Sequence, residues 1–293
     1  ASYNDYVNKI NSTYVEDIKR EGVLCIKDFL DDVTLSQIRA EINPWLDNIS
    51  FNGHLSSMII GNNQWIEHLG LCSLTLLETI LGDDLITFAE DYYQEEVVLG
   101  QFQYQKKIFS EKKGLPTHLD QGKGLYFFFY LNEVNRETGA TKFYKGSHLK
   151  TLKEENITRK GASNESYLLE SEEMKDSALE ANGGPGSLVI WDRRTWHTLP
   201  GYSKHGRELV MASLIPKSCS HDAKDNLFKS SFLSCLSPKQ LSVCLAHTQK
   251  ENHQSLMKLG GEVSDLDDYG INRFKLWVYY LRFILIKIFR IYS

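Results

Sequence analysis

Residues 118–131 of the chain read HLDQGKGLYFFFYL. The second half of this stretch has the dense aromatic composition of a buried strand, and alternate side chains of a strand face opposite sides. We therefore predict that the run from Tyr126 to Tyr130 is mostly core, with alternate members available to line a pocket. Other segments with the composition of strands are 95–109, 141–144, 187–191 and 209–215.

Turn-forming sequences separate these candidate strands, among them ETG at 137–139, GGPG at 183–186 and KHG at 204–206. Many short strands with few helices between them favour an antiparallel sandwich or barrel over a parallel sheet. The sequence thus predicts a mainly β protein with flanking helices.

Helical patterns flank the strand-rich region. They cover residues 3–20, 31–48, 73–90 and 220–260. Pro44 is expected to kink or end the second of these helices. Residues 50–70 are predicted to be irregular, and the charged segment 152–182 to be an insertion loop or a lid. We expect a single domain over residues 1–293, with its core at about 20–216 and a helical C-terminal region at 220–293.

The composition excludes several classes of protein. A chain of 293 residues with 42% hydrophobic and 12% aromatic residues is not disordered, and a net charge of −5 argues against general nucleic-acid binding. Five scattered cysteines without a C-x-x-C pair argue against a disulfide framework and a cysteine zinc site. No basic region followed by an apolar one opens the sequence, so we expect no signal peptide and a cytoplasmic protein with reduced thiols.

His118, Asp120 and His197 are the candidate metal ligands. In an extended segment, residues two apart point to the same side, so His118 and Asp120 can bind adjacent positions of one ion. A histidine from a distant strand, His197, completes the two-histidine, one-carboxylate arrangement that suits Fe(II) and oxygen chemistry. An H-x-D tripeptide alone is weak evidence, because it arises by chance.

Arg207 adds context to this constellation. It lies ten residues after His197 and opens the candidate strand RELVMASLIP. An arginine there can pair bidentately with a carboxylate, and it would suit the distal carboxylate of 2-oxoglutarate.

Four features occur in combination: HLDQ at 118–121, NRETGATKFYKGSH at 135–148, PGSLVIWDRRTWH at 185–197, and Arg207. In these four features the sequence resembles the phytanoyl-CoA dioxygenase family. The resemblance covers about residues 20–216. It implies an Fe(II)- and 2-oxoglutarate-dependent oxygenase on a double-stranded β-helix, the jelly-roll core, with O2 as second cosubstrate. It makes the Gly-Ser-His turn at 146–148 a structural element without a metal role for His148.

The resemblance also implies roles for single residues. His118, Asp120 and His197 would hold iron and Arg207 would bind 2-oxoglutarate, with Gln105 and Tyr126 as further cosubstrate contacts. A hydroxyl residue often stands two positions after the arginine in related oxygenases, whereas this chain has Leu209. Asp120 favours hydroxylation or another oxidation over halogenation, because related iron halogenases have Gly or Ala there.

The segment 271–293 carries five basic residues and no acid, and its apolar residues fall on one half of a helical wheel. Charges interrupt it too often for a membrane span. Two alternatives stay open: packing on the body or on a second subunit of a homo-oligomer, or binding at a membrane surface.

The leading hypothesis is a dioxygenase that hydroxylates a small metabolite in a biosynthetic pathway and releases succinate and CO2. The alternatives are a membrane-associated lipid or acyl-chain hydroxylase, and a non-catalytic jelly-roll binding protein.

Overall fold

The computed structural model describes residues 10, 12–47, 57–60, 63–66, 69–107, 115–120, 122–150, 157–160, 166–168, 172–199, 206–223, 226 and 228–245. Its strands are β1 (Val23–Ile26), β2 (Ser57–Ile60), β3 (Asn63–Ile66), β4 (Val97–Lys107), β5 (Leu115–Leu119), β6 (Leu125–Tyr130), β7 (Lys142–Tyr144), β8 (Ile157–Lys160), β9 (Ser166–Leu168), β10 (Ala178–Glu180), β11 (Leu188–Asp192), β12 (His197–Leu199) and β13 (Arg207–Pro216). Its α-helices are α1 (Ser12–Glu21), α2 (Asp32–Asp47), α3 (Leu74–Ile80), α4 (Asp83–Tyr93), α5 (Glu172–Asp176), α6 (Ser230–Leu233) and α7 (Pro238–Leu245).

The strands form two antiparallel sheets. A seven-stranded sheet has the order β1-β11-β6-β13-β4-β3-β2, and a six-stranded sheet has the order β10-β7-β12-β5-β9-β8. From β4 to β7, and again from β11 to β13, the chain alternates between the two sheets. This alternation is the jelly-roll arrangement that the sequence predicts.

The core has two layers, one on each face of the larger sheet. On one face, residues of α1 to α4 such as Ile18, Ile38 and Leu77 cluster with Phe127 and Phe129 of β6. On the other face, the space between the sheets contains a second cluster that includes Tyr126, Phe128, Tyr130, Trp191 and Phe143. Both faces of β6 are covered, so all six of its residues are buried and its alternate members line the intersheet space.

Several helix boundaries differ from the sequence-based expectation. Gly22, with φ of 75°, follows the end of α1 as expected. Pro44 does not end α2, which continues to Asp47. The helix predicted over 73–90 is two helices, α3 and α4, and Gly82 is the N-terminal cap of the second.

The prediction that residues 50–70 are irregular is wrong where the structure describes them. β2 and β3 pair there as an antiparallel hairpin, and β3 extends the larger sheet by pairing with β4. Four-residue strands in an Asn- and Gly-rich context carry too little periodicity to be recognised without their partner strand.

The interpretation of 152–182 as an insertion loop is likewise wrong for its described residues. They form β8, β9, α5 and β10, and β9 pairs with β5 while β10 pairs with β7. Its role as a lid stays a prediction, as does the single-domain division.

The segment 271–293 lies outside the described residues. Among the helices that the structure does describe, none combines the length and apolar composition needed to cross a membrane.

Candidate metal centre

His118, Asp120 and His197 come together between the sheets. Their potential ligand atoms all lie within 4.8 Å of one another. His118 is on β5 and His197 opens β12, where the two are direct cross-strand partners with ring centroids 4.3 Å apart. Asp120 follows β5 by one residue, and its N–H donates to the carbonyl of Arg193 at 3.1 Å. Within the described residues, this is the one group of three His, Cys, Asp or Glu side chains that could hold a metal ion.

Backbone carbonyls orient both imidazole rings. His118 Nδ1 donates to the Pro116 carbonyl at 2.7 Å, and His197 Nδ1 donates to the Thr195 carbonyl at 3.0 Å. In each ring the hydrogen bond places the proton on Nδ1 and leaves Nε2 as the lone-pair donor.

Burial keeps His197 neutral. Desolvation, and to a lesser degree the neighbouring His118, lower the pKa of His197 to about 3. A neutral imidazole is the form that binds a metal, so no proton competes for Nε2 of His197 near neutral pH. Two imidazole nitrogens and one carboxylate are the donor set that fits Fe(II).

The Gly-Ser-His turn supports the strand that carries His197. The Ser147 hydroxyl accepts a hydrogen bond from the N–H of Trp196 at 2.9 Å and donates to the Tyr144 carbonyl at 2.5 Å. His148 points away from the metal residues and contacts the Lys19 carbonyl of α1 through Nε2 at 2.9 Å. These contacts agree with a structural role for the turn.

A buried acid anchors the loop between β11 and β12, and sequence reasoning missed it. Asp192 is fully buried, and its carboxylate accepts hydrogen bonds from the Arg194 guanidinium and from the Tyr92 hydroxyl at 2.7 Å. The N–H of Thr195 donates to the Asp192 carbonyl at 2.8 Å. Asp192 thereby fixes the segment whose Thr195 carbonyl orients His197. Its place at the end of an apolar strand was the available signal.

Aromatic side chains pack around the metal residues. Trp191 lies 4.5 Å from the His197 ring and stacks on Tyr126 at 4.8 Å, while Phe143 lies 5.8 Å from His197. Burial, followed by the nearby carboxylate of Asp120, raises the pKa of Tyr126, so its phenol stays protonated. Through Trp191, which contacts both rings, Tyr126 lies close to His197. Its role as a 2-oxoglutarate contact stays a prediction.

Arg207 opens β13, as predicted, and only 5% of it is exposed. Its Nη1 donates to the Gly139 carbonyl at 2.9 Å and to the Thr141 hydroxyl at 3.0 Å. No carboxylate of the described residues forms an ion pair with it, and burial lowers its pKa. A buried guanidinium with neutral partners is suited to pairing with an anionic ligand, and the role of Arg207 in binding 2-oxoglutarate stays a prediction. Sequence reasoning missed Thr141, which lies inside the quoted family motif.

Gln105 lies on β4 opposite Leu209 of β13, beside Trp65 of β3. Because Leu209 belongs to the intersheet cluster, Gln105 faces the same space. The strand register thus places Gln105 at the intersheet space that contains the metal residues. The role of Gln105 as a cosubstrate contact stays a prediction.

Solved structures of similar fold include two proteins that were crystallised with 2-oxoglutarate. The epimerase SnoN, crystallised with Fe3+, alpha ketoglutarate and nogalamycin RO, is 17% identical with a TM-score of 0.57, covering 71% of this chain and 85% of SnoN. EctD from S. alaskensis, with 2-oxoglutarate and 5-hydroxyectoine, is 13% identical with a TM-score of 0.55, covering 72% of this chain and 77% of EctD. At such identities the likeness shows the fold.

HygX from Streptomyces hygroscopicus, crystallised with nickel, 2-oxoglutarate and hygromycin B, is 13% identical with a TM-score of 0.50, covering 71% of this chain and 88% of HygX. No curated protein matches the chain significantly. The family model of phytanoyl-CoA dioxygenase matches residues 18–200, well over half of the chain. With the metal residues and the buried arginine in place, this match shows that the chain belongs to the phytanoyl-CoA dioxygenase family of Fe(II)- and 2-oxoglutarate-dependent oxygenases.

Proposed function

We propose that this oxygenase hydroxylates a small metabolite in a biosynthetic pathway. The observation that carries the proposal is the pairing of two features in one intersheet space. His118, Asp120 and His197 converge within 4.8 Å, and Arg207 is buried nearby without an acidic partner among the described residues.

The similar structures support a small substrate. SnoN comes from nogalamycin biosynthesis, EctD was crystallised with 5-hydroxyectoine, and HygX was crystallised with hygromycin B. Each of these compounds is a small molecule bound or processed on the same fold as this chain.

Different residues of the chain bind the metal, bind the cosubstrate and exclude water. His118 and His197 present Nε2 atoms and Asp120 a carboxylate, while Arg207 pairs with the distal carboxylate of 2-oxoglutarate. Trp191, Tyr126 and Phe143 keep water away from the reacting atoms. When bound, Fe(II) and 2-oxoglutarate supply the oxidising chemistry, which consumes O2 and releases succinate and CO2.

Further contacts and partners belong to the same proposal. Gln105 and Tyr126 assist cosubstrate binding, and the substrate is a small molecule and not a nucleic acid. The protein acts in the cytoplasm, and residues 271–293 either pack on the body or on a second copy, or bind at a membrane surface.

Succinate formation from 2-oxoglutarate tests the proposal. Purified protein should bind about one Fe(II) per chain and form succinate only with iron and O2 present. His118→Ala and His197→Ala should abolish iron binding and turnover, whereas His221→Ala, at a side chain that is 76% exposed, should change neither. Iron binding or turnover that survives in either ligand variant would remove the proposed centre.

A further inference from the structure

We propose that Gln101 and Gln103 form the substrate-recognition surface of this enzyme, and that the substrate presents uncharged hydroxyl or amide groups to it. We call these two residues, together with Gln105 of the same strand, the glutamine stripe. The inference rests on the proposed function, because the substrate must lie beside the metal residues to be oxidised.

The strand register places the glutamine stripe on the intersheet face. On β4, Gln101, Gln103 and Gln105 stand opposite Ser213, Met211 and Leu209 of β13 respectively. Leu209 belongs to the intersheet cluster, and Met211 packs against that cluster. Since residues two apart on a strand share a face, the whole stripe borders the space that contains the metal residues.

The stripe runs along β4 from the end nearest Arg207 towards the cross-strand row that contains Trp191. Gln105 is nearest to Arg207, which lies two residues before its partner Leu209 on β13. Gln101 is farthest, in a cross-strand row with Ser213, Tyr126 and Trp191.

Trp191 packs on His197 at 4.5 Å, so this row of cross-strand partners leads from Gln101 across β13, β6 and β11 to the metal residues. Gln101 and Gln103 are farther along β4 from Arg207 than Gln105 is, so we assign them to the substrate and not to the distal end of 2-oxoglutarate.

Two of the three carboxamides are enclosed and unpaired. Gln101 is 7% exposed and Gln103 is 9% exposed, and neither side chain has a hydrogen-bond partner among the described residues. Neither amide is among the polar groups sealed from solvent without a partner, so both retain access to the intersheet space. Enclosed amides without partners cost folding free energy, and a ligand that pairs with them recovers it.

The chemistry of the stripe selects an uncharged ligand. A carboxamide offers two donors and one acceptor oxygen, which suits hydroxyl and amide groups. The residues opposite the stripe, Ser213, Met211 and Leu209, carry no ionisable group. The next strand adds the aromatic faces of Tyr126 and Phe128. The matching substrate carries several uncharged hydroxyl or amide groups along one edge.

Ligand screening on the enzyme loaded with Fe(II) and 2-oxoglutarate under nitrogen tests the inference. The probes are a library of neutral glycosides, cyclitols and N-acyl amino sugars, and a size-matched library whose members carry a carboxylate, phosphate or ammonium group. Thermal shift identifies binders, anaerobic calorimetry measures their affinity, and succinate formation in air measures turnover.

The variants are Gln101→Met and Gln103→Met, which keep side-chain length but remove the amide. The matched control is Gln64→Met on β3, since Gln64 pairs with Lys106 and so faces the opposite side of the sheet. Each stripe variant should weaken binding of the neutral ligand by about 3- to 10-fold, the loss expected for one neutral hydrogen bond, and leave 2-oxoglutarate affinity unchanged.

Four results would overturn the inference: binders from the charged library alone, no binder from the neutral library, unchanged neutral-ligand affinity in both stripe variants, or weakened 2-oxoglutarate affinity in Gln101→Met and Gln103→Met. Failure of the proposed function has a different signature, because wild-type protein would then form no iron-dependent succinate with any compound.

Discussion

The hydroxyl of Ser147 accepts a hydrogen bond from the N–H of Trp196 at 2.9 Å, directly before the metal residue His197. Both residues are buried, so water cannot replace this bond. A serine in a tight turn thereby positions the strand that carries one iron ligand.

Ser147→Ala should therefore impair both stability and iron affinity. Leaving the buried Trp196 N–H without its acceptor should lower the free energy of unfolding by about 1–3 kcal/mol. Denaturant unfolding of the iron-free protein and anaerobic iron titration measure the two effects. Ser36→Ala, on the exposed side of α2, is the control and should change neither. Unchanged iron affinity in Ser147→Ala would show that the turn does not position His197.

Arg207→Ala should raise the requirement for 2-oxoglutarate while leaving Fe(II) binding nearly intact. Loss of a buried charge pair costs about 2–5 kcal/mol, or about 30- to 4000-fold in affinity. Succinate formation over a range of 2-oxoglutarate concentrations measures this change, and circular dichroism verifies folding. Arg20→Ala, at a side chain that is 65% exposed, is the surface control. An unchanged cosubstrate requirement would mean that another cation binds 2-oxoglutarate.

Thr141→Val should weaken 2-oxoglutarate binding and leave iron affinity unchanged. The Thr141 hydroxyl is one of two acceptors for Arg207 Nη1, at 3.0 Å. A hydrogen bond to a charged group contributes about 1.5–3 kcal/mol, so we expect a loss of about 10-fold or more in cosubstrate affinity. Thr79→Val, whose hydroxyl donates only to the α3 backbone, is the matched control. Equal 2-oxoglutarate affinity in both variants would exclude a positioning role for Thr141.

Gly22→Ala should destabilise the fold strongly. Gly22 has φ of +75°, and an added Cβ would lie 2.4 Å from His148 Nδ1 and 2.5 Å from Thr195 Oγ1. The left-handed backbone alone costs about 1–2 kcal/mol for an alanine, and the contacts add to this. Gly184→Ala is the control, because the nearest atom to its added Cβ is 3.6 Å away and its φ is not in that range. Thermal unfolding compares the two variants, and equal melting temperatures would contradict the expected close approach.

Much of the metal centre could be predicted from sequence because its signal is local. His118 and Asp120 share one side of an extended segment, and a distant histidine followed by Arg207 completes a recognisable motif. The partners of these groups carried no such signal. Asp192, Thr141 and the Thr195 carbonyl act across turns and between strands, so their roles depend on pairing that one sequence does not display.

The strands with long apolar or aromatic runs were predicted correctly for a similar reason. β6 and β11 are buried on both faces, and these strands and residues 209–215 of β13 are mainly apolar in sequence. β2, β3, β8 and β9 are three- or four-residue strands. β3 pairs with β4 and β9 pairs with β5, while β2 and β8 pair only with β3 and β9, respectively, among the described strands, and this pairing makes them part of a sheet. Such strands are specified by the neighbour they pair with and not by their own composition.

The sequence by itself determined the ligand types, their order along the chain and the family, because these depend on residue identity and spacing. Only the tertiary structure decided the register that places Gln101 and Gln103 on the intersheet face, the tautomers of His118 and His197, and the isolation of Arg207 from the acids of the described chain. The physical reason is that these properties depend on contacts between residues far apart in sequence, which burial and cross-strand pairing create.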